Sequence, residues 1–246
     1  MKVALFIPAR YGSIRLKAKP LADICGKPMV ERVYRQAEKA GLVSEVCVAT
    51  DDERVFNAVK SFGGNALMTS PSHNSGTDRI IEAAEKTDAG IIVNLQGDEP
   101  LISPDMIDAA IAPMLNDAGL LMSTIMTRIF REDEFLNPNI VKVVTDRDGF
   151  ALYFSRSPIP YPRAGFSSLK ATPFKHIGLY VYRREFLLKY STLPASSLEA
   201  AESLEQLRAL EGNIRIKVVL VSRDTISVDT AEDLERVREV LGSQLN

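Results

Sequence analysis

The sequence predicts an α/β fold, with a Rossmann-like, mixed but mostly parallel central sheet flanked by helices. Three observations predict it. Strand-like and helix-like patterns alternate through the first half of the chain, as in βαβ units. Residues 91–95, Ile-Ile-Val-Asn-Leu, read as a strand buried on both faces, as a central parallel strand is. The second half then runs several strand patterns in succession, with a hairpin-type turn at Asp146-Arg147-Asp148-Gly149. With 246 residues, 46% of them hydrophobic and 25% charged, the chain suits one domain over 1–246, with a smaller lobe inserted at about 150–210.

Residues 3–8 form the first strand, an apolar run ended by Arg10. Residues 29–40 are helical, with Val30, Val33, Tyr34 and Ala37 on one face. Residues 46–49 are the second strand, and Asp51 or Asp52 can cap a helix running to about Phe62. Gly63-Gly64 stops that helix, residues 66–68 are a short strand, and 77–86 are helical. Ser103-Pro104 opens the next helix with a capping residue and a proline at its first position. Residues 121–127, 140–144, 151–154 and 177–182 are strand-like. Ser157-Pro158-Ile159-Pro160-Tyr161-Pro162 can be neither helix nor central strand, so it is an extended arm. Residues 163–173 are the expected mobile loop, and helices at about 196–211 and 230–243 flank a last strand at 214–221.

The formal charge is −2, so no basic excess points to nucleic acid as a partner. Two cysteines, Cys25 and Cys47, give neither a disulfide framework nor zinc spacing, and a reducing, cytoplasmic compartment is expected. The first apolar run is too short for a signal peptide, and nowhere do about 20 apolar residues run together, so no membrane insertion is expected.

Chemistry concentrates in the first loop. Arg10, Arg15, Lys17 and Lys19 follow a core strand, together with Ala9, Gly12 and Ser13. In an open α/β sheet, ligands bind outside the carboxyl ends of the strands. Backbone N–H groups and fixed cations there suit a polyphosphate, although no Walker A sequence closes the loop. The plainer alternative is a solvated basic turn. Gln96-Gly97-Asp98-Glu99-Pro100 ends the central strand, beside that loop. A carboxylate facing an anion site makes sense with Mg2+ between them, because that ion takes one or two carboxylates plus phosphate oxygens. The alternative is that Asp98 merely caps a turn. Asp229 also ends a strand-like segment, and Thr230 can cap the following helix and leave Asp229 for a metal; by pattern the capping and metal readings of Asp229 are even. His176 alternates with apolar residues in Phe174-Lys175-His176-Ile177-Gly178-Leu179-Tyr180: it either faces a site or is a core histidine. His73 sits in a polar turn and is expected to be solvated.

These motifs, in order along essentially the whole chain, resemble those of the 3-deoxy-manno-octulosonate cytidylyltransferases. They are Ile7-Pro8-Ala9-Arg10-Tyr11-Gly12-Ser13 with Arg15 and Lys19-Pro20-Leu21, Ser75-Gly76-Thr77-Asp78-Arg79, Asn94-x-Gln96-Gly97-Asp98-Glu99-Pro100, Tyr153-Phe154-Ser155-Arg156, Lys175-His176-Ile177-Gly178-x-Tyr180, Leu204-Glu205-Gln206 and Val228-Asp229-Thr230. The resemblance implies the nucleotide-diphospho-sugar transferase fold, with a small dimerisation lobe and a homodimer. It implies nucleotide contacts at Ala9, Arg10, Ser13, Arg15, Lys19, Thr50, Asp51, Ser75, Gly76, Thr77 and Arg79. It places the sugar acid at Gln96, Arg156, His176, Tyr180, Glu205 and Gln206, and Mg2+ on Asp98 and Asp229. Arg15, Lys19, Asp98 and Asp229 would be the catalytic set. The implied reaction joins CTP to an eight-carbon ulosonic acid, Kdo, for lipopolysaccharide or capsule. A sialic-acid or 8-amino-Kdo enzyme, and a silent nucleotide-binding module, remain the alternatives. The family usually has Pro-Gly where this chain has Lys17-Ala18, which adds a cation and removes glycine freedom from the loop.

Overall fold

The structure is a computed structural model that describes residues 1–12, 16–73 and 75–245. Arg15 and Ser13, expected in the phosphate loop, lie outside the described residues. The chain divides into two compact units, one of Met1–Asp108 with Thr225–Asn246 and one of Ala109–Asp224.

The first unit is built on four parallel strands. β1 (Val3–Ala9) is followed by a 3₁₀ turn at Lys19–Leu21 and a small hairpin, β2 (Asp23–Ile24) with β3 (Lys27–Pro28), which the sequence patterns do not reveal. α1 (Met29–Ala37) buries Val30, Val33, Tyr34 and Ala37, as its helical spacing requires. β4 (Glu45–Thr50) leads to α2 (Glu53–Ser61), whose cap is Asp52, accepting from the Arg54 N–H at 2.9 Å. β5 (Ala66–Met68), α3 (Gly76–Glu85) and β6 (Ile91–Leu95) complete the unit's sheet in the order β5-β4-β1-β6, all parallel. Every residue of β6 is buried. Val228 and, from the C-terminal helix (Ala231–Leu245), Leu234 and Val237 pack in one cluster with Ile24 and Met29.

α4 (Pro104–Asn116) carries the chain into the second unit. Its elements are β7 (Met122–Arg128), α5 (Glu132–Leu136), β8 (Lys142–Thr145), β9 (Ala151–Ser155), β10 (Phe174–Arg183), α6 (Arg184–Tyr190), α7 (Ser197–Glu202), α8 (Gln206–Glu211) and β11 (Ile216–Leu220). β11 pairs parallel with β7, and β7–β10, β10–β8 and β8–β9 are antiparallel. The mixed, mostly parallel α/β class expected is therefore the class observed. The second unit is wider than the lobe expected at 150–210, because β7 and β11 pair with each other on one side of β10. The β8–β9 turn is a hairpin, with Gly149 at φ 75° where an L side chain is disfavoured. One expectation is corrected. The helix foreseen over 196–211 is two, because Ser203 takes a left-handed conformation (φ 52°, ψ 49°) and ends α7. Among the described residues, no helix is long and apolar enough to cross a membrane.

The Lys17-Ala18 substitution has a structural consequence. Ala18 caps the 3₁₀ turn in the left-handed region, at φ 56° and ψ 30°. A Cβ there is strained by about 1–2 kcal/mol relative to glycine. Ala18→Gly should therefore stabilise the protein, less the entropy a glycine loses on folding, and raise Tm by about 2 °C. A lower Tm in calorimetry would mean that the left-handed turn costs nothing here.

Candidate functional site

The register of the first sheet aligns its carboxyl ends: Ala9 pairs with Thr50, and Phe6 with Asn94. A cavity of about 270 Å³ opens there, lined by Ala9, Arg10, Lys19, Gly76, Gln96 and Asp98 among the expected site residues. Its floor depends on Gly97. A Cβ at that position would stand 2.8 Å from the Pro8 carbonyl oxygen, so only glycine lets the two strand ends meet and leaves Gln96 and Asp98 on the cavity wall.

At that wall, Lys19 Nζ donates to Asp98 Oδ2 at 2.6 Å and to Asp229 Oδ1 at 3.1 Å. Burial works against the lysine's charge, but the two carboxylates outweigh it and raise its pKa above the ordinary value. The carboxylates thus converge on one cation. The tail that brings Asp229 is fastened by the Val228 N–H, which donates to the Asp98 carbonyl at 2.9 Å, and by Thr225 Oγ1, which donates to buried Glu99 at 2.9 Å. Thr230 caps the C-terminal helix, accepting from the Asp233 N–H at 3.2 Å. The Asp229 carboxylate is therefore spared the capping role and goes to Lys19. Among the described residues, no group of three or more His, Cys, Asp or Glu gathers as for a metal. Two carboxylates on a point already held by an ammonium still form a fitting donor set for an ion that takes its other ligands from phosphate and water.

The remaining residues of this unit fall into two groups. Arg10 Nη2 donates to the His73 carbonyl at 2.8 Å, while the His73 ring bonds Glu82 at 2.7 Å. His73 is thus a bonded residue that braces the first loop, where a solvated one was expected. Glu82 also accepts from the Ser70 N–H and from Lys86, and is held down to about 2, first by that backbone bond. Around the end of β4, Thr50 and Arg79 are fully buried. The Arg79 guanidinium donates to Asp51 at 2.7 Å and to Thr69. It offers no surface charge and instead fixes Asp51. Ser75 and Asp78 form a reciprocal capping box at the start of α3, which places Gly76 and the buried Thr77 in its first turn.

The second unit gathers the other expected residues. His176, on β10, is buried and packs edge-on to Phe154, with ring centroids 5.0 Å apart, and beside Tyr180 at 5.3 Å. Thr124 Oγ1 lies 2.9 Å from His176 Nε2 and 2.7 Å from the Leu179 carbonyl. A hydroxyl has one proton to give, and it goes to the carbonyl, so Thr124 accepts from Nε2–H and Nδ1 is left as the ring's acceptor. Burial lowers His176 to about 3, so the ring is neutral. Tyr180, raised by burial, donates to Gln206 Oε1 at 3.0 Å, and the buried Gln206 Nε2 has no partner. The Glu205 carbonyl accepts from Tyr190 at 2.7 Å. Arg156 leaves β9 with its N–H on Glu202 at 2.9 Å and its Nε on the Glu202 carbonyl at 2.8 Å. Glu202, which looks like a solvated helix face in the sequence, is the residue sequence reasoning missed here; its only signal was proximity to Glu205-Gln206.

The fold is that of the nucleotidyltransferases, with a strand-end cavity lined by Arg10 and Lys19 and two carboxylates that converge on that lysine, and comparison with known proteins gives the class. The cytidylyltransferase family model matches residues 4–216. The chain is 57% identical over 249 residues to the 3-deoxy-manno-octulosonate cytidylyltransferase of Geotalea daltonii, and 53% identical to that of Geobacter sulfurreducens, covering 98% of this chain and 98% and 100% of those proteins. A solved structure of CMP:2-keto-3-deoxy-manno-octonic acid synthetase complexed with CTP superposes with a TM-score of 0.94 at 48% identity, over 99% of this chain and 100% of that one. The 4-diphosphocytidyl-2C-methyl-D-erythritol synthase of Anaerococcus prevotii shares the fold, with a TM-score of 0.64 at 13% identity over 98% of each chain. The chain belongs to the 3-deoxy-manno-octulosonate cytidylyltransferase family.

The neutral His176 makes stability pH-dependent in a defined window. The unfolded chain takes up its proton near the ordinary histidine value of about 6.5, while the folded ring does so only near 3, so stability is lost as pH falls below about 6.5. Between pH 7 and 5 the loss should be about 2 kcal/mol. His176→Asn should flatten this interval in urea titrations at the two pH values; an equal loss in the variant would assign the effect elsewhere.

Proposed function

We propose that the chain transfers the cytidylyl group of CTP to Kdo, releasing diphosphate and forming CMP-Kdo. The observation that carries this reading is the convergence of Asp98 and Asp229 on Lys19 at the strand-end cavity. Asp98 and Asp229 would hold Mg2+, which when bound neutralises phosphate charge and lowers the pKa of the attacking hydroxyl. Arg10 and Lys19 supply fixed positive charge for the triphosphate, Arg15 adds to it by family resemblance, and Gly76 leaves room for it at the start of α3. Thr50, Asp51, Thr77 and Arg79 form a rigid frame for the nucleoside. On the sugar side, His176 Nδ1 accepts from a hydroxyl, Gln206 Nε2 donates, and Arg156 takes the carboxylate. The sugar's anomeric oxygen forms a bond to the α-phosphorus, the bond to the β-phosphate oxygen breaks, and the hydroxyl proton leaves to solvent. Positioning and charge stabilisation therefore carry the catalysis. The product would serve lipopolysaccharide or capsule assembly in the cytoplasm. Diphosphate release from CTP with a panel of ulosonic acids tests the reading: turnover with Kdo is expected, and turnover with sialic acid alone would overturn it.

Asp98→Asn should leave the fold intact and lower kcat by about 10²–10³, the loss of one ligand that stabilises transition-state charge. Near-native kcat would remove Asp98 from that role.

The second unit exposes Phe130, Leu152 and Tyr161 to 78%, 63% and 81%, and we assign their cover to a second copy of the chain. Each apolar side chain so buried contributes about 1.5–3 kcal/mol. Light scattering should give twice 27.1 kDa, and Tyr161→Glu should shift it toward the monomer. A monomeric wild type at micromolar concentration would overturn the assignment.

A further inference from the structure

The second unit holds a lysine that no expected function uses. Lys142, on β8, is fully buried, and its ammonium donates to three main-chain carbonyls, those of Asn137 at 2.9 Å, Ile140 at 2.6 Å and Arg156 at 2.5 Å. An ammonium has three donors and no acceptor, so the tripod is complete. Burial is the larger of the influences that lower this lysine, to about 8, and the nearby Arg156 charge adds to it. A buried cation paired only with carbonyls is costly, and a neutral side chain there would leave the Ile140 and Arg156 carbonyls without a donor, while that of Asn137 keeps the Ile140 N–H at 3.2 Å.

The three carbonyls have one residue in common. Asn137 and Ile140 bracket the turn containing Pro138, whose carbonyl accepts from Arg156 Nη1 at 3.1 Å. The third carbonyl belongs to Arg156 itself. Lys142 thus fixes both the main chain from which the Arg156 side chain starts and the turn on which its guanidinium rests. Glu202 holds the other end, accepting from the Arg156 N–H and from Ser155 Oγ at 2.6 Å, while the Ser203 carbonyl accepts from Nη2 at 3.4 Å. Three of the five guanidinium N–H groups are engaged in this way, which leaves two for a ligand.

We propose that Lys142 is a positioning residue for the sugar acid: its ammonium tripod sets the pose in which Arg156 presents its remaining N–H groups to the substrate carboxylate. This rests on the assignment of Arg156 to the sugar-acid site. The role differs from simple support of the fold, because its failure should appear in one substrate's KM and leave the other's alone.

The experiment compares Lys142→Met, Lys142→Arg, Arg156→Ala and the double variant Lys142→Met/Arg156→Ala in steady-state kinetics with CTP and Kdo. Lys142→Met should raise KM for Kdo on the order of tenfold, the loss of one well-aligned bond to a charged group, with KM for CTP unchanged. Lys142→Arg, which keeps the charge but not the tripod, should raise it less; it also carries the comparison if the methionine variant does not fold. The double variant should be no worse than Arg156→Ala alone, because the lysine acts through the arginine. If Arg156→Ala raises KM for Kdo while neither lysine variant does, or if the lysine variants only lower Tm, the positioning role is overturned. If Arg156→Ala itself leaves KM for Kdo unchanged, the fault lies with the sugar-site assignment and the proposal falls with it.

Discussion

The first unit depends on a cation lodged between two carboxylates. Asp98 and Asp229 would repel each other across the small distance that separates them from Lys19, and the ammonium turns that repulsion into attraction. The same contact joins the first loop, the end of the central strand and the C-terminal tail. The Val228–Asp98 backbone bond and the buried Thr225–Glu99 bond reinforce that junction from below. Loop, strand end and tail form a coupled set, so a change in charge at any one of the three is felt by the other two.

The second unit follows a different electrostatic plan. Around β10 it gathers an uncharged imidazole, a phenol and an amide: Thr124 holds His176 Nε2, Tyr180 donates to Gln206 Oε1, and Gln206 Nε2 has no partner. Beside them stand Lys142 and Arg156, whose charges are spread over main-chain carbonyls. Hydroxyls discriminate between donors and acceptors, while phosphates respond chiefly to charge.

The sequence displayed what depends on local order and hid what depends on distant partners. Strand β6, helix α1, the caps at Asp52 and Thr230 and the β8–β9 hairpin were legible, because apolar spacing and turn chemistry act over a few residues. Asp98 and Lys19 could be paired through strand-end placement. Arg79 was expected at the nucleotide site with its charge available, whereas its guanidinium is spent on Asp51 and Thr69; no local pattern tells an exposed arginine from a buried one. The split at Ser203 was unreadable because serine has no preference for the left-handed region. Lys142 in a strand-like run looks like an edge residue, and only the three carbonyls that surround it give it meaning.

The compact unit that carries the strand-end cavity is assembled from Met1–Asp108 and Thr225–Asn246. A growing polypeptide therefore displays Asp98 long before Asp229 exists, and through the intervening hundred-odd residues Lys19 has only half of its anionic partnership. A chain cut short anywhere before the tail therefore lacks the second carboxylate of that pair, and Lys19 keeps Asp98 alone.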